Sequence, residues 1–136
     1  MALNFPGATS GPQAIAAQDA TAAWVDFGAQ LYIAGAAHVM LWTALDIGNS
    51  TGILVRALLS HAAAGDEYVA PILAGAAGVV AVQDHYYQLT DDVDQNIVLE
   101  WELGGAVPYI QFQIMATVLG VAPVAELTAS VTTGRY

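Results

Sequence analysis

The sequence predicts an all-β protein: an antiparallel β-sandwich or jelly roll of about eight strands with an extended N-terminal arm. Period-2 alternation is the first of three observations behind this. Leu99, Trp101 and Leu103 alternate with Val98, Glu100 and Glu102, and Ile110, Phe112, Ile114 and Ala116 alternate with Gln111, Gln113, Met115 and Thr117. The second is the recurrence of turn-rich clusters, "GNSTG", "AAAGDE" and "TDDVDQ", at near-regular intervals. The third is length: 136 residues make one domain, large enough to bury roughly two thirds of its unfolded surface.

Residues 1–21 are mostly Ala, Gly, Pro, Ser and Gln without periodicity and read as the arm, leaving 22–136 as a single domain. Short strands are expected at 23–27 and 30–33. Segment 38–47, "HVMLWTALDI", is apolar on both faces, as a central buried strand would be. "GNSTG" is a turn. "ILVRALLSH" at 53–61 contains helix formers, but Ile53, Val55, Ala57 and Leu59 alternate with Leu54, Arg56, Leu58 and Ser60, which favours a strand. Further strands are expected at 68–73 and 79–89, followed by an acidic turn at 90–95. Strands at 97–103 and 109–118 then form a hairpin about Gly104-Gly105, and 127–133 closes the set. Trp42 and Trp101 lie on strongly apolar strand faces and are assigned to the core. Tyr86 and Tyr87 must point to opposite faces.

Composition excludes several classes of function. Apolar residues make up 57% of the chain and charged residues only 10%, against about 25% in ordinary soluble domains. Too little charge is present to cover a free monomer in the usual way, so part of the exterior is expected to be an interface. Twelve acidic residues face two basic ones, Arg56 and Arg135, for a formal charge of −10. That charge repels phosphate backbones and anionic lipid, so neither nucleic acid nor a membrane surface is an expected partner. The absence of lysine excludes Schiff-base chemistry, and the absence of cysteine excludes thiol catalysis and Cys-ligated zinc. The N-terminal residues lack the charged and apolar regions of a signal peptide. The uncharged runs 27–45 and 103–125 are long enough to span a bilayer, but Pro108, Pro123, Gln111 and Gln113 suit the second to a strand.

Two motifs carry possible chemistry. Gly48-Asn49-Ser50-Thr51-Gly52 matches G-x-S-x-G, and His85 with an aspartate could complete a triad. That motif needs a strand before it and a helix after it, and the expected pattern here is turn and strand. Asp91, Asp92, Asp94 and Asn96 form a candidate calcium cluster. An EF-hand would need Gly at Ile97 and Glu at Leu103, so a solvated acidic turn is the plainer reading. His38, His61 and His85 share no ligand spacing. Trp24, Trp42, Trp101, Tyr86, Tyr87 and Tyr109 could form a sugar-stacking platform, although such rings more often fill a sandwich core or an interface. No cofactor and no catalytic residue are expected.

The runs "LWTALDIGNSTGILVRALLSHAAAGDEYVAPI" and "HYYQLTDDVDQNIVLEWELGGAVPYIQFQIMA" carry a likeness that extends over most of 24–133. In overall pattern they resemble the small β-sandwich decoration, or cement, proteins of tailed-bacteriophage capsids. The resemblance implies a jelly-roll fold, self-association as a homodimer or homotrimer, and binding to the major capsid protein on the outer capsid surface without enzymatic activity. Neck, tail or fibre-base proteins share the look, and a carbohydrate-binding module is a further alternative. In this reading the contact residues are Asn4, Phe5, Pro6 and Ile15 on the arm, with Tyr109, Gln111 and Gln113 on the strand surface.

Overall fold

Where the sequence alternates, the backbone is extended, and all regular structure among the described residues is β. The computed structural model describes residues 13–33, 36–63, 65, 67–70, 81–82, 86–90, 93–103, 107–117 and 125–134. The strands there are β1 (Gln13–Ala20), β2 (Val25–Tyr32), β3 (His38–Asp46), β4 (Gly52–Ser60) and β5 (Tyr68–Val69). They continue with β6 (Ala81–Val82), β7 (Tyr87–Leu89), β8 (Val93–Glu102), β9 (Tyr109–Thr117) and β10 (Ala125–Gly134). One sheet, sheet A, has the order β1-β10-β3-β8; the other, sheet B, has β2-β9-β4-β7-β6, with β5 also paired to β4.

The pairs β1·β10, β2·β9, β3·β8 and β4·β7 are all antiparallel. The chain is therefore one long hairpin, β1 to β4 running out and β7 to β10 running back, whose successive long strands switch sheets. This is jelly-roll winding. The two-residue strands β5 and β6 lie in the connection between β4 and β7.

Each sheet turns one set of alternate residues inward. Val39, Leu41 and Leu45 of β3, Leu99 and Trp101 of β8, and Leu127 and Val131 of β10 meet Ile53 and Val55 of β4 and Ile110, Phe112 and Ile114 of β9. Trp101 ties the layers together. Its ring centroid lies 5.4 Å from that of Tyr87 and 5.3 Å from that of Phe112, both on sheet B. The Tyr87 hydroxyl donates to the Glu100 carbonyl at 2.6 Å, so a core residue of one sheet also satisfies backbone on the outer strand of the other.

The opposite seam is closed by bulges. Register slips in β1 between Ile15 and Gln18, and in β2 between Phe27 and Leu31. Gly28 sits in the second slip at φ 71°, a conformation that disfavours any Cβ, and the Ile15 side chain occupies the space a Cβ would need. Gln18 bridges the seam: its Nε2 donates to the Asp26 carbonyl, and its Oε1 accepts from the Gly28 amide at 3.3 Å. Twisted, side-chain-capped edges of this kind resist pairing with another chain.

Several expectations are corrected. Gln13–Ala20 belongs to sheet A as strand β1, so any arm ends before Gln13. Segments 23–27 and 30–33 are one strand, because Gly28 absorbs the bulge without ending the pairing. The expected hairpin of 97–103 and 109–118 is an arch between sheets: β8 pairs with β3, and β9 pairs with β2 and β4. Alternation specifies which face is buried but not which strand is the partner, and both arrangements bury the same residues. Segment 79–89 reverses instead of running straight, since β6 and β7 pair antiparallel. Part of the acidic turn is strand, because β8 begins at Val93 and Asp94 lies opposite Ala44. "ILVRALLS" is a strand as expected, with Leu54 and Leu58 buried on its outer side as well.

Candidate functional site

Two surfaces concentrate side chains that core packing does not require: the outer faces of the two sheets. On sheet B the register places Asp26 of β2, Gln113 of β9 and Arg56 of β4 in one row. Arg56 donates from Nε and Nη2 to Gln113 Oε1 at 3.0 and 2.7 Å, and Gln113 Nε2 donates to Asp26 Oδ1 at 2.9 Å. Trp24 lies over the guanidinium, 4.1 Å from ring centroid to Cζ, and meets Tyr86 edge-on at 6.1 Å. Burial pushes the Arg56 guanidinium below its ordinary value, while Glu67 pulls it the other way; it stays charged at any physiological pH. A groove of about 320 Å³ on this side is lined by Asp26, Gln30, Gly65, Glu67 and Gln111.

The outer face of sheet A is different in kind. Its register rows run Asp19–Glu126–Asp46, then Thr128–Ala44–Asp94, then Ser130–Trp42–Val98, then Thr132–Met40–Glu100, and end at Gly134–His38–Glu102. Acidic residues thus stand in the two rows at each end, and the central row, Ser130–Trp42–Val98, is neutral. Trp42 is 40% exposed, and its Nε1 donates to Thr132 Oγ1 at 2.9 Å, which holds the indole against β10. At one end His38 Nδ1 stands 3.6 Å from Glu100 Oε1. At the other, Asp19, Asp46 and Glu126 line a depression of about 150 Å³.

Trp42 corrects the assignment to the core, while Trp101 upholds it with no exposure at all. β3 is apolar on both faces in sequence, which suggested burial on both. The contrary signal lay in its neighbour: in β10, Leu127, Ala129 and Val131 alternate with Glu126, Thr128, Ser130 and Thr132, so sheet A has one wet face.

Of the expected contact residues, Tyr109, Gln111 and Gln113 share the outer side of β9, and Ile15 stands apart from them in the core. Asn4, Phe5 and Pro6 lie outside the described residues. Ile15 is 7% exposed and belongs to the protein's own core, so it is not free to anchor a partner. Tyr109 is half-buried and packs edge-to-face on Tyr32, with centroids 5.4 Å apart. Gln111 is 6% exposed, its Nε2 donating to the Gly28 carbonyl at 3.0 Å, and Gln113 serves the Arg56 row. Both glutamines therefore face their own sheet's surface.

Asp91 and Asp92 lie outside the described residues, and Asp94 and Asn96 fall within β8. Among the described residues no group of three or more His, Asp or Glu side chains is placed to hold a metal ion. Ser50 sits in the crossing from β3 to β4, its amide donating to the Ile47 carbonyl at 3.0 Å and its hydroxyl buried without a hydrogen-bond partner. The element after Gly52 is a strand, so the strand–turn–helix context of a nucleophile elbow is not formed. His85 lies outside the described residues. The aromatics are dispersed: Tyr87 and Trp101 in the core, Trp24 and Tyr86 on sheet B, Trp42 on sheet A.

The chain matches no protein family, no curated protein and no solved structure.

Proposed function

We propose that the chain is a structural protein of a tailed-bacteriophage virion. It decorates and stabilises the capsid from outside by binding the major capsid protein and itself, without catalysis. The observation that carries this reading is the jelly roll whose sheet A outer face is neutral and partly apolar at its centre, with Trp42 exposed there. Jelly rolls serve viral capsid proteins, lectins and cupins alike, so winding alone does not choose among them. Composition adds the rest: a sequence this apolar and this poor in cations suits an assembly component away from packaged nucleic acid.

The test is co-sedimentation of the purified protein with head particles of the encoding phage that lack it. Saturable binding of the full chain is expected, and deletion of residues 2–12 should weaken it if the arm clamps neighbouring subunits. A full-length chain that stays in the supernatant overturns the proposal. A second reading, a saccharide site, is favoured by the groove of carboxylates and amides on the sheet B side that carries Trp24. It predicts glycan-array binding that Asp26→Asn abolishes.

A further inference from the structure

We propose that the outer face of sheet A is the docking face for the shell, and that its occupant presents Arg or Lys residues on either side of an apolar centre. The proposal rests on the virion reading above and adds the surface and the chemistry of the partner. Its basis is charge placement. The central row of the face holds Trp42 and Val98 beside Ser130, flanked on β3 and β10 by Met40 and Thr132 on one side and Ala44 and Thr128 on the other. Asp19, Asp46 and Glu126 close one end, with Asp94 one row in opposite Ala44, and Glu100 and Glu102 stand at the other. Among the described residues the face carries no Lys or Arg; Arg56 is on the other sheet.

This pattern selects the occupant. If two copies met face to face, each acidic end would oppose an acidic end in either orientation, and the like charges would repel. A second copy is therefore the wrong partner for this face, and self-association falls to other surfaces. A protein with basic groups spaced to meet both ends matches it, with the apolar centre supplying the contact that excludes water. Trp42 has the features of an anchor: a large ring, exposed, and already fixed by its bond to Thr132, so little side-chain freedom remains to be lost on binding. The Asp19–Glu126–Asp46 row strengthens the argument. Like charges directly across strands destabilise a sheet, so the fold itself gives no reason for them.

Three full-length variants test this by co-sedimentation with the same particles: Trp42→Ala, the triple Asp19→Asn/Asp46→Asn/Glu126→Gln, and Glu67→Gln as a control on the sheet B side. Circular dichroism and thermal melts establish that each is folded. Trp42→Ala should weaken attachment by tenfold or more, as loss of a central aromatic anchor typically does. The triple variant should bind more weakly and lose part of the salt dependence, while the control binds like the parent. If the parent binds and the Trp42 and triple variants bind equally well, the face is wrong and the virion reading stands. If the parent binds no particle, both fall.

Discussion

Trp101 has its ring between Tyr87 and Phe112 and its indole nitrogen buried without an acceptor. Two opposed terms act at this position. Removing the ring empties a large volume where both sheets meet, and Trp101→Ala should destabilise the protein by about 3–5 kcal/mol. Trp101→Phe keeps most of the volume and deletes the orphan N–H, whose desolvation costs about 1–3 kcal/mol. Its net cost should therefore fall well below that of the alanine variant, within about 1.5 kcal/mol. Urea unfolding of the two variants decides the point; equal losses would mean that the N–H is satisfied after all. Trp101 was legible in the sequence because its neighbours on β8, Val98, Glu100 and Glu102, alternate cleanly with it. Trp42 was not, because Met40, Trp42 and Ala44 are as apolar as Val39, Leu41 and Leu45 opposite them. Hydropathy along one strand cannot say which side of a sheet is covered; only the polar alternation of β10 does.

At the scale of elements, β1 bears on both stability and function. Composition read Gln13–Ala20 as arm, since Ala-rich sequence with one isoleucine gives little period-2 signal. Its place in the fold depends on β10, more than a hundred residues away, and on Gln18 reaching across the seam to β2. The 97–118 region shows the same limit from the other side: its strands and buried face were legible, but the arch was not, because strand pairing is set by the whole winding. These facts separate two truncations. Deleting residues 2–12 keeps every pair of the β1·β10 register. Deleting 2–18 removes most of β1, including Ile15, whose lost burial alone is worth about 2–5 kcal/mol, and leaves β10 as a bare edge. That variant should unfold at lower urea and aggregate in size-exclusion chromatography. Equal midpoints for the two truncations would show that β1 contributes nothing to the sheet.

For the whole molecule, electrostatics sets stability and attachment against each other. A formal charge of −10 repels itself, and sheet A places three carboxylates side by side across neighbouring strands. Screening relieves that repulsion, since the Debye length falls from about 30 Å at 0.01 M to about 8 Å at physiological ionic strength. The melting temperature of the free protein should therefore rise with added sodium chloride. A chloride salt also keeps surface-exclusion effects, which would raise stability for another reason, smaller than sulfate would. Binding to a basic partner through the same carboxylates should move the opposite way, weakening as salt rises because the attraction is screened. Glu126→Gln joins the two trends in one residue. It sits between Asp19 and Asp46, so neutralising it should raise stability by a few tenths to about 1 kcal/mol and at the same time reduce attachment. A stability gain with unchanged attachment would leave the carboxylate row without a role in docking. A stability loss would mean that Glu126 is held by a favourable contact, and the like-charge account of this row would be wrong.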